Sequence, residues 1–367
     1  VEKWKKVAIT GSDGEEFLNS IHGKQSCVSC HGGVGEAASM EEAHMGMVAD
    51  PSVDPAKYCA GCHTSIVGNH LTSLHKTQRG YFSFFSLRYQ GTIDGPIPHE
   101  FTAEFNQECG TCHATCGQCH ISVPNTAQGG FIKAHKFSKV PDMTKNCTAC
   151  HGSRIGDEYL GNNEGYQPDV HWAPNFKRCE FCHSGSEMHG NGIEYDYKLQ
   201  DTQMPACEDC HDKGTENAYH NKHWGELSCS TCHSQDYRNC NSCHVGGAGI
   251  TGSPYFAFKI GKNSNPQDRS YKWVTLRHIP IAKDTYEAWG FDNLPFYDIM
   301  PTWKYTMPHN IQKNTPQTEP DTTAVIACAG NCHHNEEIFL RPADLVADEV
   351  NANDPVVVKD EEWPVGP

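Results

Sequence analysis

The chain has 367 residues, 37% of them apolar, and a formal charge of −16 at pH 7. That acidic balance excludes nucleic acid and anionic membrane surfaces as partners, and no apolar run reaches the ~18 residues of a membrane-spanning helix. So small an apolar share is a poor supply for the side-chain core of a chain this long, and implies that something else fills the interior.

In chain order, Val1 is followed by Lys3, Lys5 and Lys6 with no apolar segment behind them, as in a mature form whose export signal has been removed. Ser20-Ile21-His22 follows a stretch able to form a helical turn; the pattern returns at Ser73-Leu74-His75-Lys76 and, more loosely, at Ala134-His135-Lys136. Phe82–Tyr89 is rich in aromatics and reads as an apolar strand at an interface. Residues 245–327 hold no cysteine but carry twelve of the 36 aromatics, and Tyr271–Leu276 reads as a strand among turns rich in Gly, Pro and Asn. This stretch is a wrap over the rest of the chain or a small subdomain; two histidines within it favour the wrap. The tail Asp354–Lys359 is a short β-prone run that docks on its own subunit, an arm exchanged with a neighbour being the alternative.

Through this framework run ten cysteine pairs, which use all twenty cysteines, and each pair is followed directly by histidine. Nine read Cys-x-x-Cys-His: Cys27/Cys30/His31, Cys59/Cys62/His63, Cys109/Cys112/His113, Cys116/Cys119/His120, Cys147/Cys150/His151, Cys179/Cys182/His183, Cys207/Cys210/His211, Cys229/Cys232/His233 and Cys240/Cys243/His244. The tenth, Cys328/Cys332/His333, has one more residue between its cysteines. Zinc sites need two Cys-x-x-Cys half-sites and no histidine directly after each. Disulfide frameworks have no use for the histidine, and a redox Cys-x-x-Cys occurs once or twice in a chain, not ten times. With 23 histidines in 367 positions, ten hits in ten places are not chance. The pattern is the signature of covalent c-type haem: the sulfurs form thioethers and the adjacent imidazole reaches the iron as proximal ligand.

The expected cofactors are therefore ten haem c, with His31, His63, His113, His120, His151, His183, His211, His233, His244 and His333 as proximal ligands. Thirteen histidines remain for the opposite face. His22, His75, His99, His135, His171, His189, His220, His223, His278 and His309 are the candidates, with His44, His70 and His334 in surplus. His334 adjoins His333 and cannot reach the same iron. Iron held by two imidazoles is coordinatively full and exchanges electrons with little rearrangement, whereas methionine would raise the potential. His113 and His120 are seven positions apart, at most about 23 Å of extended chain, so the haems they carry are neighbours. Glycines after motifs, as in His31-Gly32-Gly33, let backbone or a second porphyrin come close, or simply make a turn.

On these motifs the chain resembles multihaem c-type cytochromes over nearly its whole length. The resemblance implies mostly irregular coil with short helices and few short strands, and a core of stacked haems. It divides the chain into a haem-dense region 1–244, the motif-free stretch 245–327, and 328–367 with the tenth motif and the tail. Within the family, the chain is most similar to subunits of extracellular cytochrome filaments, which implies long-range electron transfer between identical copies, with redox proteins or an extracellular mineral as further partners. Two other branches stay open. Decahaem conduits of the outer membrane or cell surface match in haem number. Multihaem reductases of nitrogen or sulfur oxyanions keep one haem open to substrate. All ten motifs end in histidine and none in lysine, which disfavours an enzyme. The implied location is outside the cytoplasmic membrane: extracellular, cell-surface or periplasmic.

Overall fold

The computed structural model describes residues 9–108, 110, 114–214, 218–237, 257–319, 329–333 and 335–362, with 329 and 330 described by backbone alone. Among them the chain is mostly coil, with short helices and one three-stranded sheet. It forms two compact units. The first gathers Val1–Gly80, Ala103–His151 and Cys179–Asp196; the second gathers Tyr81–Thr102, Gly152–Arg178 and Tyr197–Pro367. No helix among the described residues is long and apolar enough to cross a membrane.

The first unit is a succession of short helical turns. Many start at a side chain that accepts a backbone N–H, as at Ser26, Asp54, Ser73, Thr115 and Ser184. Helices of four or five residues cannot sustain themselves in water and depend on what they are fastened to. Side chains offer little fastening, because the buried apolar residues here are Val67, Phe105, Met143 and Tyr195 alone among the described residues. Backbone packs on backbone instead. At Gly32 and Gly33, whose φ values are +68° and +83°, a Cβ would stand 2.7 Å from the carbonyl oxygens of Gly46 and Ala43.

The second unit has a conventional core. β1 (Lys259–Lys262), β2 (Trp273–His278) and β3 (Trp303–Tyr305) form an antiparallel sheet with β2 in the middle. Thr275 faces Ile260, Leu276 faces Tyr305, and His278 faces Trp303. Val274 and Leu276 are fully buried and pack with Leu199, Trp303, Tyr305, Leu340, Val356 and Val357. Burying a side chain of that size contributes about 1.5–3 kcal/mol. The strand expected at Tyr271–Leu276 is thus present, shifted two residues onward. The tail docks within this unit: Val356 O accepts from Lys262 N, and Val358 N donates to Leu340 O. Asn353 fixes it further, its Oδ1 accepting from the backbone N–H groups of Thr302 and Trp303.

The aromatic run expected as a strand is instead a helix, α1 (Arg79–Gln90). Phe82, Phe85 and Tyr89 recur at helical spacing and meet a second aromatic set. Phe85 stacks on Phe101 and meets Tyr286 and Phe291 edge-on. The buried Arg88 guanidinium, between them in sequence, donates to the carbonyl oxygens of Tyr297, Met300 and Pro301. Gly91, at φ +78°, ends the helix with its N–H on Leu87 O.

Candidate functional site

Each motif among the described residues forms a turn. The His63, His183, His211 and His233 N–H groups donate to the carbonyls of Cys59, Cys179, Cys207 and Cys229, four residues back, at 2.9–3.0 Å. Positions i, i+3 and i+4 of one turn share a face, so both sulfurs and the imidazole come to the same side. Cys109, Cys112, His113, Cys240, Cys243, His244, Cys328 and His334 lie outside the described residues.

Fifteen cysteines are described, and none is in a disulfide. Their burial varies from motif to motif. Cys27, Cys62, Cys150, Cys182, Cys207 and Cys210 lie at the surface of the polypeptide, and Cys30, Cys59, Cys116, Cys119, Cys147, Cys179, Cys229, Cys232 and Cys332 are half-buried. The physical reason is the scarcity of apolar side chains around the turns. The second cysteine of a turn is held by its backbone rather than by packing. The Cys62, Cys210 and Cys232 N–H groups donate to the carbonyls of Cys59, Cys207 and Cys229 at 3.2 Å, and Cys182 closes the turn Cys179–Cys182. Polar neighbours stand beside some of these sulfurs: Thr126 Oγ1 is 3.7 Å from Cys150 Sγ, and Thr231 Oγ1 is 3.8 Å from Cys232 Sγ. The wider tenth motif also turns, with Cys332 in the segment Ala329–His333 and its carbonyl accepting from Asn335 N at 3.2 Å.

The fold brings motif histidines to distant non-motif ones. In the first unit the pairs are His22–His63, His31–His135, His75–His151 and His120–His189. In the second they are His171–His211, His220–His233 and His223–His333. Each of these seven joins one motif ring to one non-motif ring, with centroids 5.9–6.3 Å apart. Two imidazoles on opposite sides of one metal, each about 2.0–2.1 Å away and with its ring centre about 1.1 Å behind the nitrogen, have centroids about 6.2–6.4 Å apart. Aromatic packing also covers this range. Yet other ring pairs in the molecule spread from 3.6 to 6.5 Å, and packing gives no reason for motif rings to choose non-motif ones.

The ring nitrogens agree with this. Nδ1 faces a carbonyl oxygen in His31 (Val48, 2.8 Å), His120 (Ser138, 2.7 Å), His220 (Lys213, 2.8 Å), His223 (Tyr219, 3.1 Å) and His233 (Gln312, 3.1 Å). In two it faces a carboxylate: His171 on Asp169 at 2.8 Å, and His183 on Glu187 at 2.9 and 3.0 Å. Neither acceptor carries a proton, so Nδ1 must donate, and a neutral ring then keeps its lone pair on Nε2. That is the tautomer a metal takes. Burial, and then the charge of the paired ring, holds His22, His189 and His223 below the usual imidazole range, so these rings are neutral at pH 7.

His278 is placed otherwise than the sequence reading expected. Its Nε2, the nitrogen a metal would use, is bonded to Glu349 Oε1 at 2.6 Å, with both side chains buried. It serves the core, holding the tail segment to β2, and is withdrawn as a ligand. His99 opens the helix His99–Glu108. His309 has its backbone N–H on Glu158 and its ring beside Tyr159. Neither belongs to the seven pairs. Of the surplus histidines, His44 closes the turn Met40–Ala43, and His70 is buried, which pushes its pKa down to about 4. Asp169 and Glu187 escaped notice in the sequence, although Asp169-Val-His171 and the i, i+4 pair His183/Glu187 are both local signals.

Sulfurs of successive motifs also meet. The Cys147 and Cys179 thiols are hydrogen-bonded. Sγ of Cys207, Sγ of Cys229 and a carboxylate oxygen of Glu208 lie within 4.8 Å of one another. Two thiols and a carboxylate can hold a soft divalent ion, but both sulfurs here belong to Cys-x-x-Cys-His turns. Burial raises the Cys59 thiol to about 11, with Cys116 and Cys30 near enough to add to the effect. Burial likewise raises Cys119 to about 12, Cys147 contributing next. Among the described motifs of the first unit, Cys59 thus lies near Cys116 and Cys30, and Cys119 near Cys147. In the second, Cys207 adjoins Cys229, and one helical turn, α2 (Ala218–His223), supplies both His220 and His223. Comparisons with protein-family models, curated proteins and solved structures found no match.

Proposed function

We propose that the chain carries ten c-type haems and moves electrons along them. The observation that supports this most is the set of seven imidazole pairs, each of one motif and one non-motif histidine, within a few tenths of an ångström of the separation of two imidazoles sharing one metal. In this reading the cysteines of each motif tether a porphyrin, and an exposed second sulfur such as that of Cys62 or Cys182 is within reach of one. His31 with His135, His63 with His22, His120 with His189 and His151 with His75 would hold iron in the first unit; His211 with His171, His233 with His220 and His333 with His223 would hold it in the second. When bound, haem supplies a one-electron ferric/ferrous couple. The chain's own residues orient the rings, keep Nε2 deprotonated, and line the porphyrin. Phe131 and Phe137, with open surface, stand beside His135 and His22 as apolar walls. An iron held by two such rings would have no open position for a substrate, which favours transfer over catalysis.

The sulfur contacts support close haem edges from one motif to the next, and electron tunnelling falls exponentially with edge separation. Ferric EPR of the purified protein should show low-spin haem throughout; a high-spin signal from one-tenth of the iron would favour an open, catalytic haem. A polypeptide with no Soret band, or with the mass of the bare chain, would falsify the reading as a whole. The family resemblance supports a further step, in which copies join into an extracellular filament. Electron microscopy of native material should show filaments, and monodisperse monomers at every salt concentration would count against that step alone.

A further inference from the structure

The imidazoles differ in what backs them. Six present Nδ1 to a neutral carbonyl, His309 on Met307 among them, whereas His171 and His183 present it to carboxylates. Both acids are built in. Asp169 is 2% exposed; its Oδ1 also accepts from the His171 backbone N–H and its Oδ2 from that of Ile311, each at 2.8 Å. Glu187 is 6% exposed, and its turn starts at Ser184, whose Oγ accepts from the Glu187 N–H at 3.1 Å. A carboxylate on the far nitrogen makes a ligating imidazole a stronger electron donor. It also sets a fixed negative charge close to the metal in surroundings of low dielectric. Both effects favour ferric over ferrous iron.

We propose that Glu187 and Asp169 lower the reduction potentials of the haems of the motifs ending in His183 and His211 below those of the haems whose described histidines are backed by carbonyls alone. The inference rests on the haem reading above. The two motifs are consecutive in the sequence, one in each unit. A partly reduced protein keeps its electrons on carbonyl-backed haems, such as that of His220 and His233, and each carboxylate-backed haem is an uphill step to be crossed rather than a place of rest.

The test is a spectroelectrochemical titration of the holoprotein and of its Asp169→Asn, Glu187→Gln and Asp201→Asn variants, after haem content and spin state are measured for each. Asp201 is a buried acid of the second unit that accepts from Gln203 N, and so controls for the loss of one buried charge. The expected result is a low-potential segment worth two-tenths of the absorbance change. Half of it rises in each of the first two variants by about tenfold in the oxidised-to-reduced ratio, 59 mV for one electron, while Asp201→Asn superimposes on wild type. Unmoved curves for the first two variants, or an equal shift in Asp201→Asn, overturn the inference while ten low-spin haems leave the haem reading standing. A chain without haem overturns both. Near-infrared magnetic circular dichroism of the unaltered ferric protein gives a reading free of folding effects. Two-tenths of the charge-transfer intensity should lie at shorter wavelength than the rest, and a single uniform band would sink the assignment.

Discussion

The two units solve the same problem by different means. The second holds eighteen of the buried apolar residues described and the only sheet among the described residues; the first holds four buried apolar residues, yet six of the ten motifs. Side chains close the interior of one. In the other, short turns capped by Ser, Asp and Thr need an outside anchor, and the proposed thioether and iron–imidazole bonds are the anchors to hand. On the proposed function, a polypeptide poor in apolar residues would be ordered by its prosthetic groups where they are dense and by an ordinary core where they are sparse.

The largest expected effect follows from withholding haem. In chain made without haem attachment, amides of the first unit should exchange with deuterium at close to unprotected rates. Those of Val274, Leu276 and Trp303 should exchange about a hundredfold slower. Equal protection in both units would erase the contrast. Next come single substitutions. Leu276→Ala should cost about 2–5 kcal/mol and leave the EPR spectrum unchanged. His22→Ala should turn one-tenth of the iron high-spin while the sheet's unfolding transition stays in place. A smaller effect concerns acid. Burial pushes His70 down to about 4 from 6.5, so the folded state binds fewer protons than the unfolded state between those values. Stability is full above pH 6.5 and falls as pH drops towards 4, by on the order of 2 kcal/mol after allowance for solvent. His70→Gln should flatten that decline in the acid unfolding of the first unit; an unchanged slope would show that the burial of His70 is not what makes the unit acid-sensitive. Smallest is Arg79→Ala, which removes partly exposed ion pairs to Glu194 and Asp196. At most about 1 kcal/mol is expected, less at high salt.

What the sequence made legible was local. The Cys-x-x-Cys-His turns, the strand near Trp273 and the docking of Val356–Val358 follow from neighbouring residues. How deep a sulfur lies does not: Cys62 and Cys232 occupy the same place in identical motifs, yet one is exposed and the other half-buried, because depth depends on what distant segments bring. The aromatic run Phe82–Tyr89 misled because Phe and Tyr favour strands, while the spacing of Phe82, Phe85 and Tyr89 is helical. The histidine pairs were hidden for a different reason. His120 and His189 are brought together by the fold and no local pattern links them. His278 looked available because its partner, Glu349, lies 71 positions further along.

The pairing also dictates a timetable. A polypeptide threaded across a membrane N-terminus first delivers His22 ahead of His63, and His75 ahead of His151. His31 must wait for His135, and His120 for His189. With haem bound as proposed, some irons would be closed on both sides as soon as their cysteines emerge, and others would stand one ligand short until a later stretch arrives. If the chain is exported and loaded as proposed, the half-finished protein would be briefly reactive towards small molecules that the completed one turns away.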